Sequence, residues 1–474
     1  MGQRYTPRPV YQELGEGFAD AVEPARFPEL TLRFRNQRWA ERIGLGELDE
    51  RAWEDHMARF VPLEENLEAP LAMRYHGHQF RHYNPDLGDG RGFLFAQLED
   101  VRDGRVLDLG TKGSGKTPYS RGGDGRLTLK GGVREVLATE MLEALGVYTS
   151  KTLSVFETGE SLVRHDEPSP TRACVLVRLG HSHIRFGTFQ RHAYERSEDH
   201  LHELVEHVAT HYMPNCSKKT RDETALAVFS RVLRETGRLC AQWMAAGFVH
   251  GVLNTDNMNI NGESFDYGPW RFLPALEPNF VAAYFDQQGL YRYGLQPAAC
   301  RWNLARLADA LSLIADRAAM EEELDAFEEI FWREVIPAYL ARLGIAPRGF
   351  AEDEELVSMV LEWMQESGVP YQQFFFDWYG GAASSARAAR SPAGEYYDGG
   401  AFANIRRLLR KAEPAPGVDL THSYFQERET PCDMLIDEVE AIWEPIASED
   451  DWSSFEQKVA DIRHMGDALG IKLT

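Results

Sequence analysis

Cysteine is scarce in this sequence. Five copies (Cys174, Cys216, Cys240, Cys300 and Cys432) are scattered over 474 residues, with no C-x-x-C pair. That spacing argues against a disulfide framework or a cysteine-built zinc site, and it fits a reducing cytoplasm. Long apolar runs are missing too. Nothing approaches the roughly 18 consecutive apolar residues that a membrane helix needs, so no membrane partner is expected. The first residues, MGQRYTPRPVYQELGEG, lack the apolar centre of a secretory signal. Cations are in short supply, with 51 Lys and Arg against 74 Asp and Glu, a formal net charge of −23. No nucleic-acid partner is expected, because backbone binding calls for a basic face. Any site for a polyanion has to gather its few cations locally. The remainder is ordinary globular composition, 43% hydrophobic and 26% charged.

Residues 1–75 show little periodicity and read as an N-terminal extension. From 76 to 187 the pattern is short strands with glycine turns around one helix. The clearest strands are Phe93 to Leu98 and Arg172 to Leu179. The helix runs from Gly132 to Leu145, with Val133, Val136, Leu137 and Met141 at helical spacing. Residues 188–346 turn helical. The longest pattern spans Thr224 to Ala246 and stops at Gly247, and further helices are expected around 303–316 and 320–344. Residues 347–474 read as a C-terminal helical extension with a helix near 352–366. In it Gly380 to Ser385 looks like a loop or linker, and two more helical segments follow. The expected fold class is α+β, a strand-rich half followed by a helix-rich half, arranged as two lobes with a cleft between them.

Gly110-x4-Gly115-Lys116-Thr117 matches the phosphate loop of P-loop ATPases. A true loop needs a helix starting at the Lys-Thr pair, and Gly122, Gly123 and Gly125 oppose one. It also needs a strand ending in a magnesium-binding Asp. Val281 to Asp286 is a poor candidate. A different use of these residues is expected.

The stretch "HGVLNTDNMNINGESFDYGPW", residues 250–270, carries more chemistry. Asn261-Gly262 signals a two-residue hairpin turn, which would set Asn257 opposite Asp266. Asp256 would lie beside them. An amide oxygen and carboxylates suit magnesium with a phosphate completing its shell. A solvated turn rich in Asn and Asp reads the same way from these residues alone. The flanks add that Asp266-Tyr267-Gly268 has the shape of the metal-binding D-F-G of protein kinases. His250 to Asn257 fits the kinase catalytic-loop frame, with the histidine, leucine and asparagine in place. Val252 stands where a kinase has its catalytic aspartate, and a valine cannot accept a proton.

A kinase-like site also needs a strand lysine on the phosphates, held by a helix glutamate beneath a glycine-rich hairpin. Lys112 follows the strand Val106 to Leu109, and Glu135 lies in the next helix. Leu87 to Gly92 supplies the glycines. Lys112, rather than Lys116, is therefore the expected phosphate contact. Arg178 and Arg185 could fork onto phosphate oxygens, or simply balance an acidic surface.

Taken together, "YNPDLGDGRG", "KGSGKTPYSRGGDGR", "GVREVLATEMLEALGV", "SHIRFG", "HGVLNTDNMNI" and "DYGPW" resemble the selenoprotein O family, pseudokinase-fold protein adenylyltransferases. The runs span roughly residues 75 to 305. The resemblance implies a protein-kinase-like two-lobed fold that binds ATP flipped, so that the α-phosphorus faces the acceptor. It implies AMP transfer to Ser, Thr or Tyr hydroxyls of proteins, releasing pyrophosphate. By position, Asp256 is then the proton acceptor, and Asn257 and Asp266 are the ligands of Mg2+, or of Mn2+. Gly88, Gly90, Arg91, Lys112, Asp124, Gly125, Arg178, Arg185 and Asp266 are ATP contacts, and Glu135 pairs with the lysine. Two other readings stand beside this one: an inactive ATP-binding pseudokinase scaffold, and UMP transfer with manganese. Family members often end in cysteine or selenocysteine. Here the residues run out at "DALGIKLT" and the last cysteine is Cys432, so control through a terminal thiol does not carry over.

Overall fold

A computed structural model describes residues 5–165 and 167–471; the last three residues of the "DALGIKLT" run lie outside it. The first half alternates strands and short helices: β1 (Ala19–Ala21), β2 (Thr31–Arg35), α1 (Gln37–Arg42), α2 (Glu50–Met57), β3 (Leu71–Met73), β4 (Gly77–Gln79), β5 (His82–Asn84), β6 (Leu94–Glu99), β7 (Val106–Lys112), β8 (Leu127–Thr128), α3 (Leu129–Ala144), β9 (Lys151–Leu162) and β10 (Thr171–Gly180). The rest is mainly helical: α4 (Phe186–Tyr194), α5 (Glu198–His211), α6 (Arg221–Ala246), the short pair β11 (Phe248–Val249) and β12 (Arg271–Phe272), α7 (Gln296–Leu311), α8 (Arg317–Asp325), α9 (Phe327–Leu343) and α10 (Phe350–Ser367). Seven further α-helices follow among the described residues: α11 (Tyr371–Asp377), α12 (Ser385–Ala388), α13 (Gly394–Asp398), α14 (Ala403–Leu409), α15 (Ser423–Glu427), α16 (Ile436–Glu449) and α17 (Ser453–Ala468). The architecture is α+β.

The main sheet runs in the order β1-β3-β6-β7-β10-β9-β2, with β8 alongside β10 and every pairing antiparallel. Helices cover both faces. Val175, Val177 and Leu179 of β10 join Leu107 and Leu109 of β7 in a core with Trp39 of α1 and Trp53 of α2. Cys174 and Leu176 face the other way, toward Val133, Val136 and Leu137 of α3. Successive strand residues point to opposite faces. Because both faces are packed, β10 reads as a continuous apolar run from Ala173 to Val177 rather than an alternating one. The same period sets the site. Asp108, Gly110 and Lys112 share one face of β7. The register opposes Gly110 to Arg178, so Arg178 lies on that face too, diagonal to Lys112.

Residues 1–75, which read as patternless, contribute β1, β2 and β3 to this sheet. The long helix expected after residue 220 is α6. A Thr220–Glu223 capping box starts it, and Gly247 in the left-handed region, φ 67°, ends it. Two expectations are corrected. The 320–344 helix is broken at Ala326 into α8 and α9. Leu324 and Phe327 are both buried, and the break turns each toward the core. Gly380 to Ser385 is not a linker. The Gly380 N–H donates to the Leu343 carbonyl at 2.8 Å, and the Ser384 hydroxyl, buried, donates to the Tyr379 carbonyl.

Candidate active site

An open cleft of about 770 Å³ separates the glycine-rich loop 87–92 and the 119–126 loop from residues 252–269. Its floor is a charge cluster. The Lys112 ammonium donates to Glu135 Oε2 at 2.7 Å and lies 3.3 Å from Asp266 Oδ1. Arg178 donates to the same Asp266 oxygen at 2.9 Å, and Arg185 donates to Asp266 Oδ2 at 2.9 Å. Arg185 also reaches the Asp256 carbonyl at 2.8 Å and Asp89 Oδ1 at 3.4 Å. Burial would raise the Asp266 carboxyl, but Arg178, Lys112 and Arg185 outweigh it and hold it well below the usual carboxylate range. Asp266 sits at φ 64°, a conformation that side-chain-bearing residues seldom adopt. Its grip on three cations holds it there.

Ten residues earlier, Asp256 is in the opposite situation. Burial pushes its carboxyl up to about 6, with Arg185 pulling the other way. Its Oδ1 is buried and has no hydrogen-bond partner among the described residues. A buried acceptor left unpaired is costly unless a ligand completes it. The supporting shell is well made. The Thr255 hydroxyl accepts from the His78 N–H at 2.7 Å and donates to Gln190 Oε1 at 2.6 Å. Asn254 Oδ1 accepts from the Phe80 N–H and the Tyr291 hydroxyl. His250 Nε2, 3.0 Å from the Phe265 carbonyl, is the protonated nitrogen of a ring that burial keeps neutral. Asn257 spends its amide N–H on the Val252 carbonyl at 3.0 Å, which leaves Oδ1 for another partner.

The expected hairpin is corrected here. The chain does turn here, but one residue early: the Gly262 N–H donates to the Asn259 carbonyl, which centres the turn on Ile260-Asn261 with Gly262 left-handed at its end, and its arms do not pair with each other. One arm bonds to residues 184–186 through Ile260 N–H to Ile184 O and Phe186 N–H to Met258 O. The other bonds to residues 148–150 through Ser264. These outside partners take the backbone groups that a hairpin would have used. Asn257 and Asp266 still line the same cleft, together with Val252. The glycine stretch is likewise no simple hairpin. It lies in the connection between β3 and β6, which pair only at Leu71 and Leu94.

The remaining candidates line the cleft: Gly88, Gly90, Arg91, Asp124 and Gly125. The glycines are sterically required. A β-carbon on Gly88 would sit 2.3 Å from the Tyr119 ring, and one on Gly125 would meet the Gly115 carbonyl at 2.2 Å. Asp124 is held by a two-point ion pair with Arg164. No helix begins at Lys116, which is exposed and off the cleft lining. Val281 to Asp286 forms no strand, and the Asp286 carboxylate caps the Leu290 and Tyr291 N–H groups. Gly110 has another reason to be glycine, since a β-carbon there would collide with the His183 ring at 1.8 Å.

Sequence reasoning missed Asp89, His183, Gln190 and Gly77. A β-carbon on Gly77 would stand 3.2 Å from Asp256 Oδ1. Only Asp89, inside the glycine-rich run, carried a local signal.

A buried lysine–glutamate pair, two inward arginines and two carboxylates are thus gathered around one cleft. Comparison with known proteins places the chain in a family. The family described as "Protein adenylyltransferase SelO" matches residues 3–463, and the chain belongs to it. A relative from Synechocystis sp., "Protein nucleotidyltransferase YdiU", is 45% identical over 469 residues, 97% of this chain and 98% of the relative. One of the same name from Trichormus variabilis is 44% identical over 474 residues, 97% and 96% of the two chains. A third from Pseudomonas putida is 41% identical over 309 residues, 65% of this chain and 62% of the relative. No helix among the described residues is long and apolar enough to cross a membrane.

Proposed function

We propose that this protein transfers AMP from ATP to Ser, Thr or Tyr hydroxyls of protein substrates and releases pyrophosphate. The reading includes a kinase-like division at the cleft, with the sheet-bearing half above and the helical half below. It also takes ATP to be flipped, so that its α-phosphorus faces Asp256. The observation that carries it is the pairing of an unpartnered, buried Asp256 oxygen with three cations gathered on Asp266. In the reaction, Asp256 takes the proton of the acceptor hydroxyl. The hydroxyl oxygen bonds to the α-phosphorus, and the bond from that phosphorus to the α–β bridging oxygen breaks, the electron pair leaving with pyrophosphate. A pKa near 6 suits a base working at neutral pH. Lys112, steadied by Glu135, and Arg178 and Arg185 hold phosphate oxygens by charge-assisted hydrogen bonds.

The donor set fits a hard divalent cation. The Asn257 amide oxygen and the Asp266 carboxylate would hold Mg2+, or Mn2+, which neutralises phosphate charge when bound. Ordinary phosphoryl transfer is not favoured, because Val252 lines the cleft where a kinase's catalytic aspartate belongs.

ATP labelled at the α- or the γ-phosphate tests the proposal. Label on protein from the α-position alone supports AMP transfer. Label from the γ-position alone replaces it with kinase chemistry. ATP binding without transfer in either case makes the protein a nucleotide-sensing scaffold. Labelled UTP with Mn2+ measures whether UMP competes.

A further inference from the structure

Outside the cleft, a single turn of 3-10 helix, Val10–Glu13, lies against α5. His207 and His211 stand one helical turn apart in the run "HVATH", so their rings share a face, with centroids 4.7 Å apart. Glu13 Oε2 is 2.8 Å from His211 Nε2. One ligand atom from each of the three residues lies within 4.8 Å of the other two. His207 is only 6% exposed, and its Nε2 is buried without a hydrogen-bond partner. None of the three lines the nucleotide cleft.

We propose that Glu13, His207 and His211 form a second metal site, for a zinc-type divalent cation, with two imidazoles and one carboxylate as protein ligands and water completing a tetrahedral shell. Nitrogen donors select zinc and its late-transition neighbours over magnesium, so this site and the Asn257–Asp266 pair take different metals. The unpartnered Nε2 of His207 is the nitrogen free to bind. Scattered cysteines exclude a thiolate zinc site but say nothing of histidines. Bound metal would tie the N-terminal turn to α5, the element that precedes the long α6.

The test uses untagged full-length protein, stripped with chelator and free of nucleotide. It is titrated with Zn2+, and with Co2+ as a visible-absorption probe. One equivalent of Zn2+ per chain, tetrahedral Co2+ bands and a raised thermal midpoint are expected. Glu13→Gln, at an exposed position that leaves the fold intact, should weaken binding about tenfold or more. His207→Ala should abolish the Co2+ bands, and Asp266→Ala should leave them unchanged. Absence of binding would overturn the proposal. So would binding of equal affinity and stoichiometry in Glu13→Gln and His207→Ala, which would mark an adventitious ion elsewhere.

Discussion

Two loops ten residues apart carry a carboxylate each into one cleft and treat it in opposite ways. At 250–257, Asp256 is buried, starved of partners and raised to about 6. At 263–268, Asp266 is partly exposed to the cleft, is gripped by Lys112, Arg178 and Arg185, and is held far below the normal range. Where paired titratable groups are driven apart in this way, their roles separate. The weakly acidic one can exchange a proton at neutral pH. The strongly acidic one stays ionised and serves as a fixed charge. Asp256 is the more deeply buried of the two and Asp266 has the three cations, so burial and neighbouring charge push the pair apart in the same sense.

That contrast can be broken directly. Asp256→Ala should lower AMP transfer by about 10²–10⁴-fold. ATP affinity measured by calorimetry should stay within a few-fold, because no cation depends on that carboxylate. Asp266→Ala should lose most metal-dependent nucleotide binding and leave Lys112, Arg178 and Arg185 crowded without their shared counter-charge. A thermal midpoint lowered in the absence of ATP, and partly restored by it, is the expected signature. The pH profile sharpens the comparison. The base must be deprotonated, so kcat/KM should fall about tenfold per pH unit below about 6 and level off above it. Asp266 should add no inflection between pH 5 and 9. Gly77→Ala intrudes on Asp256 but not on Asp266, and should cut kcat by about tenfold or more with little change in the KM for ATP. Lys116→Ala is the smallest effect, with transfer and ATP binding both near wild type, whereas a P-loop enzyme would be inactivated.

Much of this site was legible because its chemistry follows local patterns. Lys112 and Glu135 sit at strand and helix positions on inward faces, whereas Arg178, and Arg185 at the N-cap of α4, could be told from surface arginines only through the family resemblance. Asp256 and Asp266 belong to runs with recognisable spacing. Gly77 and Gln190 were not legible, since each touches the 250–257 loop from far away in sequence. The hairpin at Asn261-Gly262 misled for a related reason. A turn was rightly expected, though it forms one residue earlier, and pairing was decided by segments 148–150 and 184–186, which no local rule brings into view. The first 75 residues hid their strands because β1 and β2 are short edge strands, and partial exposure of an edge erases the apolar alternation that marks a strand.

Those two edges have a consequence for biosynthesis. β1 and β2 are consecutive in the chain but occupy opposite ends of the main sheet, and the link between them crosses it, with the Ala25 N–H donating to the Ser114 carbonyl at 2.8 Å. β2 is among the first strands to leave the ribosome, yet its partner β9 lies more than a hundred residues further on, where Thr31 meets Glu157. At about 5–20 residues per second, that is a wait of roughly 5–25 s. During that time the nascent chain carries an unpaired strand and an unfilled seat on the sheet. A chaperone that shields the N-terminal segment, or a pause in translation before β9, would act on this interval.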